Sequence, residues 1–206
     1  MVGIHAAFTC EPDTIAAAAE LATKHDVGVH VHVAEGPADT WQDLLPHTAD
    51  NWWLVHGVHL PDDHGLQGTI VHNPRSNMNN AVGYGAPVRF DNPVALGTDG
   101  IGADMLDEFR VAFVRAREHE VTTTPDVIWG WLQHGYTLFP EALDDVVVWD
   151  YEPMDPWRLA YSPGVSPVRI DVAGRTLVEN GVATHVDGDE IRAKAAEAAE
   201  RLFRKL

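Results

Sequence analysis

Apolar positions along the chain fall into two periods. Runs rich in Val, Ile and Trp at Val2–Phe8, Val27–Ala34, Asn51–Val58, Gly68–His72 and Pro93–Thr98 are short, end in polar or small residues and read as strands. Helical patterns alternate with them. Glu11-Pro12-Asp13 opens an alanine-rich helix to about Thr23, with proline in its first turn. Asp104 to Glu118 places Leu106, Phe109, Phe113 and Val114 on one stripe with Arg110 and Arg117 facing away, and a further helix runs from Pro125 to about Tyr136. This alternation predicts βα units feeding a parallel sheet.

The character changes after Asp144. Val146–Trp149, Pro167–Val172 and Arg175–Val178, the last two meeting across Ala173-Gly174, predict a small antiparallel appendage. Asp189 to Leu206 reads as a helix whose stripe of Ile191, Ala195, Ala198, Leu202 and Leu206 has a packing role. The expected division is residues 1–144 and 145–206, with no internal repeat.

Composition narrows the function classes. The formal charge of −17, from 14 basic and 31 acidic residues, argues against nucleic-acid and anionic-membrane partners. Only Lys24, Lys194 and Lys205 are lysines, a composition that suits salt-rich cytoplasm. No apolar run reaches a membrane span, and Met1-Val2-Gly3-Ile4-His5 lacks the build of a signal peptide, so the chain is expected to be cytoplasmic. Cys10 is the single cysteine, which leaves His and carboxylate as the donors for any metal.

Histidines gather at the strand ends: His5, His30, His32, His56 and His72. In a parallel barrel, the C-terminal strand ends form the active face. Period-2 geometry puts His30 and His32 on one face and carries Glu35 to the strand's end, a layout suited to a metal ligand beside a proton shuttle. Taken alone, His30 is equally well a core histidine. Gly57 permits a sharp exit that leaves His56 in the mouth, whereas His59 reads as structural or surface. Asp99 lies in Gly97-Thr98-Asp99-Gly100, where backbone can approach a ligand closely, and by itself it would be a loop cap. The amide-rich run His72-Asn73-Pro74-Arg75-Ser76-Asn77-Met78-Asn79-Asn80 reads as a turn able to bind a polar substrate. No glycine-rich segment has nucleotide-loop spacing.

In order, His5-Ala6, His32-Val33-Ala34-Glu35, His56-Gly57, Ser76-Asn77 and Gly97-Thr98-Asp99 resemble the successive strand-end motifs of the amidohydrolase superfamily, in its aminohydrolase and chlorohydrolase branch. The runs Val71–Asn80 and Leu96–Met105 are similar to SsnA-like aminohydrolases.

The resemblance implies an α/β fold: part of a TIM-type (β/α) barrel, strands four to eight, with a C-terminal hairpin segment and helix belonging to a composite β-sandwich. It implies a metal-dependent hydrolase of a non-peptide C–N bond, acting on a small polar nitrogen-containing substrate through metal-activated water. Catalysis would fall to Glu35, His56 and Asp99, substrate contact to His5, Ser76 and Asn77, and a divalent metal, zinc ahead of iron, to His32, Asp99 and His56. Strands one to three, with the His-x-His ligand pair of the first, are expected to be missing, so weak or no activity is expected of the chain alone. The connections Gly36–Asn51 and Pro125–Asp144 are short for the family. The alternative is a non-catalytic remnant or partner subunit that completes its barrel with another chain or another copy.

Overall fold

The computed structural model describes residues 1–151 and 155–205. They form two compact units, Met1–Thr137 and Leu138–Leu206, divided at the end of a helix and ahead of the compositional change after Asp144.

The first unit is built on five parallel strands in chain order: β1 (Val2–Ala6), β2 (Val29–Val33), β3 (Trp53–His56), β4 (Thr69–His72) and β5 (Val94–Leu96). Sequential parallel order is that of a run of barrel strands, with β1 and β5 at the edges. β2 shows why one face is core. Val29, Val31 and Val33 are buried, while His30 and His32 alternate onto the other face and stay half-exposed. Helix α1 (Pro12–Lys24) packs on β1 and β2, burying Ile15, Ala18 and Ala22 at helical spacing.

All five strands lie within the segments expected from the sequence, although β1 stops at Ala6 because Ala7–Thr9 turns into a 3-10 segment. The connections from β2 to β3 and from β3 to β4 carry no α-helix; the first has only a 3-10 turn at Gln42–Leu44. After β4 the chain enters α2 (Pro74–Asn79), a short helix where the sequence reads as a turn. Helix α3 (Met105–His119) follows β5, capped by Asp104, whose carboxylate accepts from the Leu106 and Asp107 amides. Its buried stripe is Leu106, Phe109, Ala112, Phe113 and Ala116. Val114, expected on that stripe, is 51% exposed because the small alanines centre the contact elsewhere on the helix. Helix α4 (Pro125–Leu138) buries Ile128 and Trp131.

Two backbone contacts draw strand starts together. A Cβ on Gly28 would lie 1.8 Å from the Asn51 carbonyl oxygen, and one on Gly68 would lie 2.6 Å from that of Trp52. Only glycine allows these approaches.

The second unit holds an antiparallel sheet of β6 (Val146–Trp149), β7 (Pro167–Val172), β8 (Arg175–Glu179) and β9 (Val182–Ala183), with helices α5 (Pro156–Tyr161) and α6 (Gly188–Phe203). Ala173 and Gly174 both take positive φ, 48° and 73°, as do Asn180 and Gly181, so both hairpins close through two-residue turns that match strand twist. Leu159 is the one buried side chain among this unit's described residues. The expectation that the terminal helix packs is corrected: Ile191 and Leu202 are 53% and 58% exposed, and no residue of α6 is buried. The helix is held by its Asp187 cap and i,i+4 ion pairs such as Lys194–Glu190 and Arg204–Glu200. Leu206 lies outside the described residues.

Candidate active site

Parallel order brings every strand's C-terminal end to one edge of the sheet, where the sequence-predicted residues gather. Three non-glycine residues there adopt left-handed backbone: Ala34 at φ 46°, His56 at 74° and Asp99 at 52°. Such conformations cost about 1–3 kcal/mol each and persist where surrounding structure fixes them.

His56 lies at the centre. Its side chain is buried, its Nδ1 is 2.9 Å from Asn77 Oδ1, and its Nε2 faces Glu35 Oε2 at 3.6 Å and Asp99 Oδ2 at 3.9 Å. Ser76 Oγ donates to Asp99 Oδ2 at 2.6 Å, and the Gly100 amide donates to Oδ1 at 2.6 Å. The Ser76 hydroxyl, more than any other neighbour, holds the Asp99 carboxyl below its ordinary range, with His56 and His32 adding to the effect. Asp99 is thus loop cap and site residue at once. Asn80 Nδ2 donates to Glu35 Oε1 at 3.1 Å.

His32 donates Nδ1–H to the His5 carbonyl oxygen at 2.8 Å, which leaves Nε2 as its free donor atom. Its ring lies 5.4 Å from those of His5 and His56. Ligating histidines show this arrangement, the second nitrogen fixed by a backbone carbonyl. His5 is exposed, with Nδ1 on Thr9 Oγ1 at 2.9 Å. His30 is half-buried beside Trp53 and His32, and burial pushes its pKa down. His59 Nε2 donates to the Val82 carbonyl, away from the site.

The arrangement does not make a complete metal cage. Among the described residues, no group of three or more His, Cys, Asp or Glu side chains is placed to hold a metal ion, whereas a catalytic zinc site ordinarily takes about three protein donors. The expected set of His32, Asp99 and His56 comes to the same edge without closing on one point. A Cβ on Gly97, two residues before Asp99, would lie 2.3 Å from Asn73 Oδ1, so glycine there lets the end of β5 close onto Asn73, while nothing lies within 4 Å of a Cβ on Gly100.

The sequence singles out Ser76 and Asn77, for substrate contact, and His72, as a strand-end histidine, but not what surrounds them. Ser76 and Asn77 are buried and turned onto Asp99 and His56, and Asn80 reaches Glu35 across 45 residues of chain. Arg75 Nε sits 3.0 Å from fully buried Glu108 Oε1, tying α2 to α3; burial nevertheless pushes the Glu108 carboxyl up. His72 is fully buried with neither ring nitrogen hydrogen-bonded, and burial, then nearby His56, pushes its pKa down to about 3. Proline at the first position of α2 was the available signal for that helix.

Comparison with known proteins accords with this fold. The chain is 31% identical, over its whole length, to a 5-methylthioadenosine/S-adenosylhomocysteine deaminase of Symbiobacterium thermophilum, of which it covers 58%. The matched stretch spans 261 positions against 206 residues here, so internal segments of that relative have no counterpart in this chain. It is 30% identical over 62% of its length to an 8-oxoguanine deaminase of Pseudomonas aeruginosa, covering 34% of it. The chain therefore spans little more than half of its longest-matched relatives. Among solved structures it resembles a zinc-bound adenosine deaminase from Xanthomonas campestris, with a TM-score of 0.82 at 19% identity over 99% of this chain and 57% of that one. It also resembles the zinc complex of atrazine chlorohydrolase TrzN from Arthrobacter aurescens, with a TM-score of 0.73 at 19% identity over 95% and 53%. The amidohydrolase family pattern matches residues 1–127, the segment that carries all five parallel strands, and the chain belongs to that family.

Proposed function

We propose that this chain supplies the proton-handling half of a hydrolase that releases ammonia or an amine from a small aminated heterocycle. The observation that carries the reading is the convergence of Glu35, His56 and Asp99 at one strand-end edge, within 3.6 Å and 3.9 Å of a single imidazole nitrogen. Asp99, kept ionised by Ser76, accepts one proton from the attacking water and yields it to the ring nitrogen; His56 Nε2 orients that water; Glu35 takes the second proton, from the hydroxyl then on the attacked carbon, and passes it to the leaving nitrogen. The deaminases among its relatives act on 5-methylthioadenosine, S-adenosylhomocysteine and 8-oxoguanine, which makes an amino- or oxo-purine the first substrate class to try. Within the family we assign the chain to the SsnA-like aminohydrolases, on the runs Val71–Asn80 and Leu96–Met105.

Solved neighbours hold zinc. His32 and Asp99 are the donors this chain would offer a divalent metal, but they fall short of a site, so the reading routes no step through the ion. Further donors would come from a segment that completes the barrel. With Cys10 as its single cysteine, we place the protein in the cytoplasm; no helix among the described residues is long and apolar enough to cross a membrane.

A second reading, a partner subunit without chemistry of its own, is favoured by the absence of a three-donor group among the described residues and by the two sheet edges at β1 and β5. Ammonia release from 5-methylthioadenosine, S-adenosylhomocysteine and 8-oxoguanine, measured with added zinc and with the chain joined by a segment that completes the barrel and supplies the further donors, separates the two. The first reading expects turnover that falls about 10²–10⁴-fold in Glu35→Gln and Asp99→Asn. No ammonia from any of them, or equal rates in the variants, removes it and leaves the partner reading.

A further inference from the structure

Asn77 and His56 form a buried pair whose polarity is fixed by chemistry. An amide oxygen only accepts, so with Asn77 Oδ1 2.9 Å from His56 Nδ1 that nitrogen carries a proton, and in the neutral imidazole Nε2 holds the lone pair. That lone pair faces Glu35 Oε2 at 3.6 Å and Asp99 Oδ2 at 3.9 Å, so three acceptors point at one another. The neighbouring histidines repeat the pattern. His32 gives its Nδ1 proton to the His5 carbonyl oxygen. Thr9 commits its hydroxyl proton to the Ala6 carbonyl and therefore accepts from His5 Nδ1. All three imidazoles keep Nδ1 protonated and leave Nε2 as the acceptor.

The opposite orientation of the Asn77 amide would place Nδ2 on the imidazole and drive the proton to Nε2, straight at two carboxylates. The structure holds the other orientation even though it leaves Asn77 Nδ2 buried without a hydrogen-bond partner. An orphaned buried donor costs about 1–3 kcal/mol.

Helix α2 treats the carboxylates in the same way. Ser76 donates to Asp99, and Asn80 Nδ2 donates to Glu35 and, at 3.4 Å, to Ser76 Oγ. Neutral donors thus stand between two carboxylates that share one imidazole.

We propose that Asn77 is a positioning residue that locks His56 in its Nδ1–H tautomer. Nε2, Glu35 and Asp99 then form a triangle of acceptors that takes a proton-bearing reactant, the attacking water or the substrate's amino group. Ser76 and Asn80 hold the other two corners. Ser76 and Asn77 thereby act behind the reacting groups and not on the substrate. The identity of the reactant rests on the proposed hydrolase function; the tautomer does not.

The test is long-range ¹H–¹⁵N NMR of the imidazole nitrogens in the full chain at neutral pH, with the His56 signals assigned by their loss in His56→Gln. The expected result is a pyridine-type Nε2 and a pyrrole-type Nδ1, retained in Asn77→Asp, which keeps an acceptor oxygen. In Asn77→Leu the proton moves to Nε2 in more than half of the molecules. A pyrrole-type Nε2 in the unmodified chain overturns the proposal, as does an Asn77→Leu spectrum indistinguishable from it. Should Asn77→Leu fail to fold, the unmodified and Asn77→Asp spectra decide. A chain that releases no ammonia yet shows the Nδ1–H tautomer sinks the activity and leaves this inference standing; an active chain with the proton on Nε2 does the reverse.

Discussion

His72 gives the sharpest quantitative test of the core behind the site. Its side chain is inaccessible to solvent and its pKa falls from 6.5 to about 3, so it is neutral in the folded chain down to strongly acid pH. In the unfolded chain it titrates at its ordinary value. A group whose folded pKa is depressed contributes stability that is complete above the unfolded pKa and drains away as pH falls toward the folded one. Each unit between 6.5 and about 3 therefore removes about 1.4 kcal/mol, or about 2.7 kcal/mol by pH 4.5. That is a large fraction of the roughly 5–15 kcal/mol that holds a typical domain together. Urea unfolding followed by tryptophan fluorescence at steps from pH 7 to 4.5 should show this slope in the unmodified chain and lack it in His72→Met. The other depressed histidines, His30 and His64, cancel in the difference between the two proteins. Parallel profiles for the two proteins would refute the reasoning.

Glu108→Ala, which leaves Arg75 only its 3.9 Å contact with Asp107 and opens a cavity beside α2, should cost about 1–3 kcal/mol in chemical denaturation. Glu108→Gln should cost less, since burial outweighs the attraction of Arg75; equal losses would show that the pair's charge is irrelevant. Gly28→Ala drives a methyl into the Asn51 carbonyl and should destabilise by about 3 kcal/mol, read as a lowered Tm; an unchanged Tm would contradict the close approach. Elemental analysis of the purified chain should find well under one zinc per molecule, and His32→Ala should lower even that; a full equivalent in the unmodified chain would show that the site closes without further donors. Molar potassium chloride should raise Tm by screening the −17 charge, and equal stability with and without salt would end the salt-adaptation reading.

The strands and long helices were legible because burial follows period: Val29, Val31 and Val33 inward, Ile15, Ala18 and Ala22 on one helical stripe. The histidines, Glu35 and Asp99 were legible because strand ends of a parallel sheet converge whatever the loops do. What failed was long-range or locally ambiguous. The amide-rich run after His72 has turn composition, and only Pro74 hints that it is helical. Asn180-Gly181, a strong hairpin signal, would have disclosed β9. The bond from Asn80 to Glu35 leaves no local trace, and the exposure of Val114 and α6 depends on what packs opposite, which periodicity does not report.

The second unit's sheet has consequences for the time the chain spends open. With Leu159 its one buried side chain among the described residues, its hydrogen bonds are guarded by little apolar surface. Local opening then requires only a fraction of the global unfolding free energy. Amides of β7 and β8 should trade their protons for deuterium far sooner than those of β2 and β3, whose flanking valines and leucines admit solvent only when the whole first unit comes apart. The polypeptide is thus two regimes of persistence in one chain, a long-lived parallel sheet that carries the candidate site and a short-lived antiparallel one that gains permanence only when something covers it.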